Sequence, residues 1–223
     1  MSSVKGRLVR LLGGGSLRRG TVTMVQDLGG FRRLVVQCDV GSFVAGTKVQ
    51  LLLPSDDMRT YTPIPDAAGL SLLGWKHAGG PGARWLSSVQ VGEELSFLGP
   101  QRSLELDAGP VLLVGDETSV AVAAAFASAR PGQVQAVIAT EAAADVEGAA
   151  AAVGLRDVDI VSRGDIPATV AAVGRGLSRW PAATVALTGE STLIVGVREA
   201  LRRASVKSVK TKTYWVPGKM GLD

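Results

Sequence analysis

The chain has one cysteine, Cys38, and one histidine, His77, among its 223 residues. A lone cysteine excludes an intrachain disulfide and fits a reducing compartment. Cys38 closes the apolar run Leu34-Val35-Val36-Gln37-Cys38, where a packed core thiol is expected rather than a reactive one. A lone histidine gives no support to a histidine-bridged metal site or a histidine-based triad, so neither a metal nor a side-chain catalyst is expected. Long apolar runs are missing too. No stretch approaches the roughly 20 residues of a membrane span, and the run beside Lys5, Arg7 and Arg10 is too short for a signal peptide. A cytoplasmic protein is expected. No dense Lys/Arg stripe with interleaved aromatics occurs, which argues against nucleic acid as a partner.

What remains is the composition of a globular protein, 46% hydrophobic and 20% charged, long enough for one large domain or two small ones. A formal charge of +4 and a pI near 9.5 suit an anionic ligand. Residues 1–15, with the run Leu8–Leu12 and three glycines, read as a loose leader that could include an edge strand. From Arg19 to Phe97, short β-type runs (21–25, 31–38, 48–53, 70–75, 94–97) alternate with glycine, proline and aspartate turns, a pattern that predicts a small antiparallel barrel. The texture changes at Asp107-Ala108-Gly109-Pro110. Val111–Val114 is continuously apolar, as in a strand buried on both faces. Strand-like segments at 134–140, 158–162 and 184–188 then alternate with helical ones at 119–129, 146–153, 167–179 and 191–204. That alternation predicts a doubly wound parallel α/β domain, so two domains are expected, residues 1–107 and 108–223.

Arg59-Thr60-Tyr61-Thr62-Pro63 is the most informative stretch. In an extended segment Arg59 and Tyr61 project to one side, Thr60 and Thr62 to the other, and Pro63 keeps Thr62 extended. Each could be a plain surface arginine and a core aromatic. Together they suit a ligand with a diphosphate and a flat ring. The glycine-rich turn Gly79-Gly80-Pro81-Gly82-Ala83-Arg84-Trp85 could bring bare backbone N–H groups to the same phosphates; an ordinary hairpin loop is the plainer alternative. Asp116 and Thr118, between a buried strand and a helix, most simply cap that helix.

Arg-x-Tyr-Thr, followed by His77-x-Gly-Gly-Pro-x-Ala-x-Trp85, Gly99-Pro100, Gly115-Asp116-Glu117-Thr118, Gly189-Glu190 and Tyr214-Trp215, resembles the siderophore-interacting proteins, FAD-binding ferric-siderophore reductases of the ferredoxin-reductase-like group. The resemblance spans nearly the whole chain and departs from the family at Ile64 and Val216, where basic residues are common. It implies an FAD-binding barrel followed by an NAD(P)H-binding domain. It also implies FAD contacts for Arg59 (phosphates), Thr60, Tyr61 (ring) and Thr62 (the reactive edge), with His77, Gly80, Gly82, Ala83 and Trp85 forming the phosphate turn. Asp116, Thr118, Gly189 and Glu190 would border the nicotinamide, and Tyr214 or Trp215 the flavin. Ser162-Arg163 could bind the 2′-phosphate of NADPH or be a solvated turn; Glu141 could instead hold a ribose diol and favour NADH. The substrate implied is a ferric siderophore, drawn in by Lys210, Lys212 and Lys219, with electrons passing from NADPH or NADH through FAD, in a protein expected to act as a monomer. A different acceptor, or flavin binding without turnover, are the other readings.

Overall fold

The computed structural model describes residues 17–40, 43–76 and 79–219, and within it the chain divides into two compact units that meet between Ser103 and Leu104. His77 and the segment Leu8–Leu12 lie outside the described residues.

The first unit holds seven strands: β1 (Arg18–Leu28), β2 (Phe31–Gln37), β3 (Thr47–Leu52), β4 (Met58–Tyr61), β5 (Pro63–Asp66), β6 (Gly69–Trp75) and β7 (Glu94–Arg102). They form one antiparallel sheet in the order β4-β3-β7-β1-β2-β6-β5. The sheet curls, so that β4 comes beside β6 and β3 beside β5. Alternation decides what faces inward: in β3, Val49 and Leu51 are buried while Lys48 and Gln50 are not. Val22, Leu34, Val36, Leu70, Leu72 and Phe97 complete one apolar core with them. Ile64 is also buried, on β5. Helix α1 (Pro81–Ser88) closes over this core with Trp85 and Leu86.

That helix replaces part of the expected glycine turn. Pro81 takes the first helical position, where its missing N–H costs nothing and its fixed φ suits a helix. Ala83 to Leu86 then carry the turn onward, so the glycines form the entry to a helix rather than a hairpin tip.

The second unit is a five-stranded, wholly parallel sheet of β8 (Val111–Gly115), β9 (Val134–Thr140), β10 (Val158–Ser162), β11 (Thr184–Glu190) and β12 (Val209–Trp215). A single-turn 3₁₀ helix (Glu117–Ser119) follows β8, and the connecting helices are α2 (Val120–Ala129), α3 (Ala143–Ala152), α4 (Ile166–Arg179) and α5 (Ser191–Arg203). The strand order is β10-β9-β8-β11-β12. From β8 the chain therefore steps outward twice in one direction, then returns and steps the other way. Right-handed crossovers place α2 and α3 on one face and α4 and α5 on the other, and each pair packs together. β8, β9 and most of β11 are buried, which explains the unbroken apolar run of β8 and the mainly apolar composition of the other two. Segment 104–109 belongs to this unit: Arg130 donates to the carbonyls of Leu106, Asp107 and Gly109. Among the described residues, no helix is long and apolar enough to cross a membrane.

Candidate functional site

In the first unit, β4 and the start of α1 come together. Arg59 and Tyr61 share one side of β4, as the alternation requires, while Thr60 is exposed and Thr62 half-buried. Gly82, in the first turn of α1, sits against both: a methyl group added there would lie 3.3 Å from Arg59 Cγ and 3.6 Å from the Tyr61 hydroxyl. The Tyr61 ring meets Trp85 edge-on, with centroids 5.9 Å apart, and its edge lies over Gly74. Burial pushes the Tyr61 phenol well above its usual range, against the pull of the Arg59 charge, so it stays protonated and available as a donor.

Arg59 is lightly held. It donates to the carbonyl of its neighbour Met58 (2.7 Å) and stands 3.9 Å from Asp57. The N-cap Gly80 offers no side-chain cap. The N–H groups of Gly82 and Ala83 begin a helix and have no acceptor within it. The Arg59 stem, the Tyr61 hydroxyl and the first turn of α1 thus come together; guanidinium groups and helix N-termini are each groups that can meet phosphate.

The second cluster lies at the carboxyl edge of the parallel sheet. The strand order reverses between β8 and β11, and open α/β sheets bind ligands at that reversal. Gly115-Asp116-Glu117-Thr118 leaves β8, and Gly189-Glu190 ends β11. Asp116 is fully buried and accepts four hydrogen bonds, from the Thr118 N–H (2.9 Å), the Thr118 hydroxyl, the Glu190 N–H (3.0 Å) and the Trp215 indole N–H (2.7 Å). A bulge in β12 brings Trp215 opposite Glu190, on the face that Tyr214 would otherwise take. The space beside Gly189 is filled by Asp116: an added methyl group would lie 2.5 Å from Oδ1.

Glu117 is almost wholly buried, accepting from the Thr140 hydroxyl (2.6 Å) and from Arg163. Arg163 also reaches Glu190 (3.4 Å), and its backbone N–H donates to Glu141 (3.0 Å). Burial would lower the Arg163 pKa, but Glu117 above all, with Asp116 and Glu190, raises it, so the guanidinium keeps its charge. Ser162 ends β10 exposed, and Tyr214 is half-buried on β12. The ties of Glu117 and Thr140 to this cluster were not visible in the sequence; only the strand order brings them to Arg163.

Burial raises the Asp116 carboxyl above its ordinary range, Glu117 adding to the rise and the Thr118 and Trp215 bonds opposing it. A carboxyl whose folded pKa exceeds its unfolded value contributes stability that is full below the unfolded pKa and is lost as pH rises through the folded one. The stability of the protein relative to an Asp116→Asn variant is therefore expected to fall as pH rises from the ordinary carboxylate range. Urea midpoints of both across that range check it; a flat or rising difference contradicts it.

No protein-family model matches the sequence, and neither does any curated protein. Solved structures do match in fold. A siderophore utilization protein from T. fusca aligns over 93% of this chain and 95% of its own, with TM-score 0.65 and 22% identity. The siderophore-interacting protein of Acinetobacter baumannii covers 91% of both chains at TM-score 0.68 and 16% identity. A ferredoxin reductase of carbazole 1,9a-dioxygenase reaches TM-score 0.70 at 17% identity, over 90% of this chain and 68% of its own. The antiparallel sheet followed by a parallel α/β unit is a fold these proteins share.

Proposed function

We propose, from that shared fold, that this chain is an FAD-dependent oxidoreductase that takes electrons from NAD(P)H and delivers them to ferric iron held in a siderophore. The observation that carries the reading is the approach of Gly82 to Arg59 and Tyr61. It leaves a cradle that any larger residue would begin to fill, lined by donors suited to a diphosphate. The residues fit FAD. Arg59 and the Gly82 and Ala83 N–H groups would hold its phosphates, Tyr61, braced by Trp85, would set the plane of its ring, and Thr62 offers a hydroxyl beside it. Thr60, Gly80 and His77 belong to the same motif. The chemistry FAD supplies when bound is acceptance of a hydride and release of the two electrons singly.

The carboxyl ends of β8 and β11 would border the dinucleotide, with Asp116 holding Thr118, Glu190 and Trp215 in fixed positions around that edge. Lys210, Lys212 and Lys219 would raise the local concentration of an anionic chelate. No proton transfer by a side chain is required, and Cys38 as a lone thiol suits a reducing compartment such as the cytoplasm.

The test is spectroscopic. The purified protein, supplied with FAD, is expected to be yellow, to bleach anaerobically with NADH or NADPH, and to regain colour with a ferric siderophore while an iron(II) chelator develops its own. A protein that takes up no flavin sinks the reading. Flavin that does not bleach would mean binding without turnover, and bleaching with no reoxidation by any ferric chelate would mean another acceptor.

A further inference from the structure

We infer that the carboxyl edge of the second unit rejects the 2′-phosphate of NADPH, making NADH the electron donor; this rests on the dinucleotide reading of that unit.

In doubly wound folds the residues just beyond the second strand of the nucleotide-binding half meet the adenosine ribose. A carboxylate there accepts from the free 2′-hydroxyl of NADH, whereas an arginine nearby takes the 2′-phosphate of NADPH. The chain carries both signals, Glu141 after β9 and Arg163 after β10. The structure shows which is available.

The Arg163 guanidinium is bound to Glu117, which is itself fixed from behind by Thr140, and it reaches Glu190 as well. To meet a phosphate it would have to leave a carboxylate that is only 4% exposed and would then be buried without a counter-charge, which is strongly unfavourable. Its backbone N–H is engaged by Glu141, and that contact holds the exposed Glu141 carboxylate at the same edge. Two glutamates therefore face the guanidinium, and a third is held at its backbone N–H. The field there is negative, hostile to a dianionic phosphate and compatible with a neutral diol, for which Glu141 still has acceptor capacity.

Calorimetric titration of the whole FAD-loaded protein with NAD⁺ and NADP⁺ separates binding from turnover. NAD⁺ is expected to bind at least about tenfold more tightly, the effect of one unit-charge repulsion across roughly 10 Å near a protein surface. The gap should narrow as salt rises, since salt screens a repulsion. Glu141→Gln, at an exposed site, should narrow it by about threefold or more, and Glu117→Gln, which frees Arg163, by more still. Equal or tighter NADP⁺ binding would overturn the inference and leave the dinucleotide reading intact. A gap indifferent to salt and to both variants would overturn it too, by showing that shape rather than charge discriminates. If neither nucleotide binds, the dinucleotide reading fails and this inference with it.

Discussion

Arg59→Ala is expected to yield a folded, colourless protein. The guanidinium supplies a full positive charge beside the start of α1, and hydrogen bonds from a charged donor are worth about 1.5–3 kcal/mol each. Losing one or two of them should weaken FAD binding by about a hundredfold. The fold has little to lose. Among the described residues Arg59 bonds to the adjacent Met58 carbonyl and stands at 3.9 Å from Asp57, a pairing of the kind that contributes at most about 1 kcal/mol. Flavin retention by absorbance, with the urea midpoint measured alongside, checks both halves of the claim. Gly82→Ala provides a graded companion. Its methyl would press on the flexible stem of Arg59 at 3.3 Å, and alanine favours the helix over glycine by roughly 1 kcal/mol. The variant should be no less stable than the parent yet bind flavin less well. Wild-type FAD affinity in Arg59→Ala would remove β4 from the site altogether.

Parts of this were legible in the sequence, and the rest shows what local pattern cannot carry. The inward positions of β3 follow from period two, and the buried strand β8 from its uninterrupted apolar run, because both signals are local. The pairing of Arg59 with Tyr61 was legible for the same reason. Helix α1 was not: Gly79-Gly80-Pro81-Gly82 has the composition of a turn, and only Pro81 at the first helical position, with Ala83 to Leu86 after it, tips the segment to helix. Strand β12 has no counterpart among the strand-like segments of the sequence, because Lys210 and Lys212 interrupt it, yet lysine on an edge strand is the usual protection against unwanted pairing, and Thr211, Thr213, Tyr214 and Trp215 are strand formers. The link from Glu117 to Arg163 spans 46 residues. It exists only because β10, β9 and β8 lie side by side, an order no local pattern encodes.

Gly189→Ala is expected to destabilise the second unit by at least about 3 kcal/mol, the range reserved for strain or broken buried networks. Gly189 has φ +100°, a conformation that side chains rarely adopt, at a cost of about 1–3 kcal/mol. The added methyl would also lie 2.5 Å from Asp116 Oδ1 and 2.8 Å from its Cγ. That carboxylate has nowhere to go, since it is buried and answers donors from Thr118, Glu190 and Trp215. Moving it strands the Glu190 and Trp215 N–H groups, each at about 1–3 kcal/mol if left unsatisfied. Denaturant titration followed by tryptophan emission reads the loss of stability and the freed indole together. A double-mutant cycle identifies the cause. If Asp116 is what the methyl strikes, Asp116→Ala combined with Gly189→Ala should cost less than the two single changes added, by at least about 1 kcal/mol. Strict additivity would mean that the backbone at Gly189, and not the carboxylate beside it, sets the penalty, and that Asp116 is not the post around which this edge of the sheet is built.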